Sequence, residues 1–143
     1  MVDQSAVGRE FTSVTARVEP GRLRFFLETL GETNPVYHDG STAPVPPTYL
    51  FCLEMMDATV PFEFLTALGI DLARVLHGEQ RFDYHAPVVV GDTLTFRPRV
   101  TGVTDKKGGA MTLIVVDTPV TNQNGVHVAD VSRTIVVRNA RPS

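Results

Sequence analysis

From Tyr49 to Met56 the chain reads Tyr-Leu-Phe-Cys-Leu-Glu-Met-Met, apolar at every position but one. A helix with so little polar surface has no side to turn to water and must be covered. No other feature constrains the fold as much, because the cover has to come from the rest of a 143-residue chain. Pro46 and Pro47 stand just ahead of the run, where a first helical turn tolerates proline, and Pro61 closes it. Glu54 is the exception, expected toward an end or an interface of the helix because its neighbours give it no polar company.

The cover comes from the second half, where the apolar period changes from helical to alternating. Phe82 and Tyr84 alternate with Arg81, Asp83 and His85 before Pro87 bends the chain. Leu94, Phe96 and Val100 oppose Thr93, Thr95, Arg97, Arg99 and Thr101, the pattern of a half-buried antiparallel strand. Two further strands flank Asn124-Gly125, a strong hairpin signal, and in the last of them Val131, Arg133, Ile135 and Val137 share a face. Gly108 and Gly109 read as a turn, and an early strand is expected within residues 9–20. Ahead of the apolar run, Leu23, Phe26, Leu27 and Leu30 form a 3.6-period stripe stopped by Gly31, a short amphipathic helix. Residues 62–76 read as one or two short helical turns broken at Gly69. One buried helix and about five strands predict an α+β domain spanning residues 1–143, an antiparallel curved sheet wrapped around a central apolar helix. That is the description of a hot-dog fold.

Composition removes several function classes. A net charge of −3, with no basic run longer than Lys106-Lys107, gives a phosphate backbone nothing to bind, so no nucleic-acid partner is expected. The first residues show no secretion signal, no apolar run approaches a membrane span, and a lone Cys52 suits a reducing compartment; these predict a cytoplasmic protein without a membrane partner. His38, His77, His85 and His127 are scattered with no ligand spacing, so no metal is expected, and no cofactor is implied.

Two stretches carry a family resemblance. Residues 31–39, Gly-Glu-Thr-Asn-Pro-Val-Tyr-His-Asp, followed by Pro46-Pro47-Thr48-Tyr49, resemble the hydratase loop and following helix of MaoC-like dehydratases. Residues 76–100, with a strand, a proline bend and a Gly91-Asp92 turn in order, are similar to the strand pair of the N-terminal MaoC-like, or fatty-acid-synthase-I-like, dehydratase family. The likeness extends over about residues 7 to 138. It implies a hot-dog dimer, either a homodimer or a heterodimer with a second hot-dog subunit. Its substrates would be acyl chains carried on coenzyme A or acyl carrier protein. The implied reaction of fatty acid metabolism is reversible loss of water from a (3R)-3-hydroxyacyl thioester to give a trans-2-enoyl thioester. In active members an Asp and a His act from the pattern Asp-x-Asn-Pro-x-His. Here Glu32 stands in the Asp slot, Tyr37 in the His slot, and His38 one residue later.

The chemistry needs a base for the Cα proton, an acid for the departing hydroxyl and donors for the enolate oxygen. Neutral histidine, with an ordinary pKa of about 6.5, can be the base, and a carboxylic acid the donor if burial lifts its pKa. Glu32 and His38 are the one acid–imidazole pair within a single loop and are the catalytic candidates, with Tyr37 and Asn34 in support. Pro47, Thr48 and Tyr49 are the substrate-binding candidates; Pro47 has no N–H, so the thioester oxygen would be held by Thr48 or Tyr49. Equally, Glu32 is a solvated charge at a helix end, His38 a surface histidine beside Asp39, and Asn34-Pro35 a turn. Three functions therefore stand open. The first is a dehydratase or hydratase, a hydro-lyase acting by itself. The second, favoured by Tyr37 in the His slot, is a non-catalytic acyl-binding subunit of a heteromeric enzyme. The third is a thioesterase using Glu54.

Overall fold

A computed structural model describes residues 2–140. The strands are β1 (Val14–Arg17), β2 (Val75–Tyr84), β3 (Thr93–Phe96), β4 (Arg99–Lys106), β5 (Met111–Thr121) and β6 (His127–Arg138). The helices are α1 (Pro20–Leu30), α2 (Tyr49–Asp57) and α3 (Glu63–Ala67). All pairings between these strands are antiparallel, in the order β1-β3-β5-β6-β2, with β4 beside β3 along the same edge of β5. The expected strand across 93–101 is split at Arg97-Pro98, where proline cannot donate to the ladder. Its apolar face is as expected: Leu94, Phe96 and Val100 are buried. The β5–β6 hairpin turns across Asn124-Gly125, and Val131, Arg133, Ile135 and Val137 are all buried on one face of β6.

α1 ends as its sequence predicts. Gly31 adopts φ 69°, which glycine reaches without a Cβ penalty, and the N–H groups of Gly31 and Glu32 close on the carbonyls of Glu28 and Leu27. Leu23 and Leu27 point into the core.

The expectation of a sheet wrapped around a central helix is overturned. The sheet is an open path whose ends, β1 and β2, do not pair with each other, and α2 lies on one face. Tyr49, Leu50 and Leu53 pack with Leu23 and Leu27 over Ala16, Leu94, Phe96, Val120 and Val131. The other half of the same face is roofed by Phe64 and Leu65 of α3, over Val100, Ile114, Val116, Ile135 and Val137. With two roofs sharing the work, the sheet does not have to curl around α2. The outer flank of that helix stays open: Phe51, Cys52 and Met55 are half-buried and Met56 is 48% exposed. Glu54 is corrected too. It is buried in mid-helix, and its company is Arg133 of β6, whose Nη2 donates to Glu54 Oε2 at 2.6 Å. That pairing explains an arginine on the apolar face of β6, where an unpaired buried charge would be expensive.

Candidate functional site

The motif loop leaves α1 directly from its glycine cap, so the main chain of Glu32 is pinned to the helix end. Three local bonds then shape it. The Asn34 N–H donates to Glu32 Oε1 at 2.9 Å, the Val36 N–H to Asn34 Oδ1 at 3.1 Å, and the Tyr37 N–H to the Asn34 carbonyl at 3.1 Å. Pro35–His38 consequently form one 3₁₀ turn, which swings the His38 ring back over the loop. Its Nε2 lies 2.9 Å from the main-chain oxygen of Glu32. A carbonyl can only accept, so Nε2 carries the proton and, in the neutral ring, Nδ1 keeps the lone pair. Glu32 and His38 are thus joined through backbone, while the Glu32 carboxylate is engaged by Asn34.

A groove of about 550 Å³ runs beside the loop, lined mainly by apolar groups of Val36, Tyr37, Pro44, Val45, Pro47 and Val88, with Tyr84 and His85 at its polar side. Its walls are fixed by the second motif. The segment Ala43–Val45 is strung along Val88–Val90 by bonds from Val45 N–H to Val88 O and from Val90 N–H to Ala43 O, both 3.0 Å. Gly91, at φ 96°, makes the turn, and the Asp92 carboxylate accepts the Val89 N–H at 3.0 Å and the Gln123 amide at 3.0 Å. The Tyr84 hydroxyl donates to the Pro47 carbonyl at 2.6 Å, and burial pushes its pKa well above that of a free tyrosine. A smaller hollow of about 130 Å³ lies toward α1, between Leu23, Leu27, His38, Ala43 and Val90. Tyr37 lines both spaces, His38 only the smaller one, and Glu32 neither.

Of the substrate-binding candidates, Pro47 lines the groove, Thr48 is exposed at the start of α2, and Tyr49 is fully buried with its N–H on the Pro46 carbonyl at 3.0 Å. Cys52 is a half-buried free thiol whose pKa burial raises, as befits a packed side chain. A larger hollow of about 720 Å³ on the opposite face of the sheet holds Arg81, Arg97, Arg99, Glu10, Asp83, Asp117 and Asp130, charges of both signs, and none of residues 31–39. The histidines are not all scattered: His85 and His127 both reach Asp130. Sequence spacing hid that cluster, because its members are brought together by strand pairing and a bulge.

Comparison with known proteins fits this geometry. The family model described as FAS1-like, dehydratase domain region, matches residues 5–131. The chain belongs to that family. A UPF0336 protein of Streptomyces coelicolor is 34% identical over 149 residues, covering 97% of each chain. Among solved structures, the ChsH1–ChsH2 complex of Mycobacterium tuberculosis superposes with a TM-score of 0.73 at 19% identity, over 98% of this chain and 89% of that one. The C-terminally truncated HadBC complex of the same organism, a (3R)-hydroxyacyl-ACP dehydratase, gives 0.71 at 20% identity, over 87% and 94%. The fold of this FAS1-like chain is the hot-dog-like α+β fold of MaoC-type dehydratases. Among its described residues no helix is long and apolar enough to cross a membrane.

Proposed function

We propose that this chain is the acyl-holding half of a two-chain hydro-lyase. The enzyme would interconvert (3R)-3-hydroxyacyl and trans-2-enoyl thioesters on coenzyme A or acyl carrier protein. One observation carries the reading: the apolar groove beside the hydratase loop is faced by Tyr37, in the histidine slot, and by neither Glu32 nor His38. Its size and lining suit an acyl chain. Neither the acid nor the imidazole of the motif loop lines it, which asks a second hot-dog chain to supply the loop's acid and base. The ten-residue edge strand β2 supports such docking, since its outer side is unpaired and Leu76 within it and Leu72 just ahead of it are 53% and 62% exposed. Both structural relatives described above are complexes of two chains.

A second reading keeps catalysis within this chain, with Glu32 as acid and His38 as base. The placement of His38 Nε2 on the Glu32 carbonyl, 2.9 Å away, favours it, because Nδ1 is left basic on the same loop. Incubating the purified chain with a short trans-2-enoyl-CoA and following the conjugated thioester absorbance separates the two. No turnover alone, with hydration on adding a MaoC-type partner that carries an intact Asp-x-Asn-Pro-x-His loop, supports the two-chain enzyme. Hydration by the chain alone, abolished by His38→Ala and by Glu32→Gln, replaces it with the second reading. Release of free coenzyme A without hydration overturns both and points to a thioesterase.

A further inference from the structure

At the corner where β2 ends against the start of β6, three side chains converge to which the hydro-lyase reading gives no chemical role, although one of them, His85, stands at the polar side of the groove. His85 Nε2 lies 2.7 Å from Asp130 Oδ2, and His127 Nε2 lies 2.8 Å from Asp130 Oδ1. The two imidazole centroids are 4.7 Å apart, and one ligand atom from each of the three residues falls within 4.8 Å of the others. Among the described residues this is the one group of three or more His, Cys, Asp or Glu side chains gathered closely enough to share an ion.

The gathering has a structural cause. In a regular strand, positions 127 and 130 face opposite ways, because side chains alternate with period two. Here Val120 opposes Ala129 while Thr121 opposes His127, so Val128 is an extra residue, a β-bulge. Val128 and Ala129 are consecutively buried, which shows the phase change, and His127 is returned to the face of Asp130. The bulge is tied to the other contributor: the N–H groups of His85 and Ala86 both donate to the Val128 carbonyl, at 2.8 and 3.2 Å.

We infer that His85, Asp130 and His127 form a binding site for one divalent transition-metal ion, with zinc the ion best matched to its donors. Two imidazole nitrogens and one carboxylate oxygen are a borderline set that favours zinc and its neighbours over magnesium or calcium, which take oxygen shells. Bonds of about 2.0–2.2 Å in a tetrahedron put ligand atoms about 3.4 Å apart, a modest closure from the present spread that surface side-chain rotations supply. Each neutral ring would bind the ion through the Nε2 lone pair of its other tautomer, its single proton passing from Nε2 to Nδ1 by way of solvent. The side chains of His85, His127 and Asp130 are 44%, 51% and 41% exposed, so the fourth vertex is open to water. The site shares His85 with the rim of the groove, but its test reads metal binding and not turnover.

The test is calorimetric titration of the chelator-stripped chain, free of any polyhistidine tag, with zinc at neutral pH, and with cobalt as a spectroscopic probe. One equivalent should bind at micromolar metal, with a visible cobalt spectrum of tetrahedral intensity and a metal-dependent rise in Tm. His85→Ala, His127→Ala and Asp130→Asn should each weaken binding at least about ten-fold. His77→Ala and Cys52→Ser should leave it unchanged. Apo-state melting reports whether each variant folds, and His127→Gln, which keeps the bulk of the ring, replaces His127→Ala if that chain does not. No saturable binding at micromolar zinc, or binding unchanged in the three ligand variants, overturns the assignment.

Discussion

The motif loop and the sheet treat charged partners in opposite ways. In the loop an acid and an imidazole only six residues apart are joined through a main-chain oxygen, while the acid's carboxylate bonds a neighbouring N–H. From the sheet, side chains of β6 reach partners 45 and 79 residues away side chain to side chain, as Asp130 with His85 and Arg133 with Glu54. A tight turn spends its polar groups on its own backbone, because those donors and acceptors are nearest. A strand has its backbone satisfied by the ladder, so its side chains are free to find each other across registers. Closeness in sequence is therefore a poor guide to which groups of this molecule act together.

Removing a sheet partner should be the most damaging change. Arg133→Ala strands Glu54 in a buried position and should cost about 3–5 kcal/mol in urea denaturation. The paired change Glu54→Met with Arg133→Met should recover most of it, since an apolar pair of similar bulk needs no compensation. A small loss for Arg133→Ala would break the contrast with the loop. Next comes the groove. Tyr37→Ala in the assembled two-chain enzyme should raise the KM for an enoyl-CoA about five- to ten-fold with little change in kcat, because apolar wall is lost and no reacting group is. An equal fall in kcat would place Tyr37 at the reacting atoms.

Asp130 gives a smaller, pH-dependent effect. Its folded pKa is depressed, so its stabilisation is present above the ordinary carboxylate range and is lost as the pH falls through the depressed value. Melting curves in chelator should show Asp130→Asn less stable than the parent near neutrality by under about 1 kcal/mol, the pair being half-open to solvent, with the difference vanishing in acid. The smallest effect is expected in the loop, where His38→Ala should shift stability by less than about 0.5 kcal/mol, since an exposed ring bonding a carbonyl is readily replaced by water. A shift comparable with that of Arg133→Ala would erase the distinction between the two regions.

Elements governed by near neighbours were legible in the sequence. The Leu23–Leu27 stripe with its Gly31 stop, the alternation of Leu94 and Phe96, and the hairpin at Asn124-Gly125 are local rules that the fold obeys. The resemblance at residues 76–100 pointed to the right family. What escaped was set by long-range accounting. An apolar run cannot say whether it is covered on every side, and α2 is covered on one flank, with α3 sharing the roof. Glu54 looked friendless because its partner lies on β6. His85 and His127 looked unrelated because a shift of register, marked in the sequence by nothing more than the adjacent apolar pair Val128-Ala129, decides where they point.

That one out-of-step residue makes the corner a matter of counting. Iron the bulge flat with Val128 still in place and every position before it would change sides, turning the imidazole at the head of β6 inward among apolar side chains; delete Val128 and His127 stays outward, two places from Asp130. The meeting of His127 with Asp130 therefore survives loss of the extra residue but not its incorporation into a regular ladder.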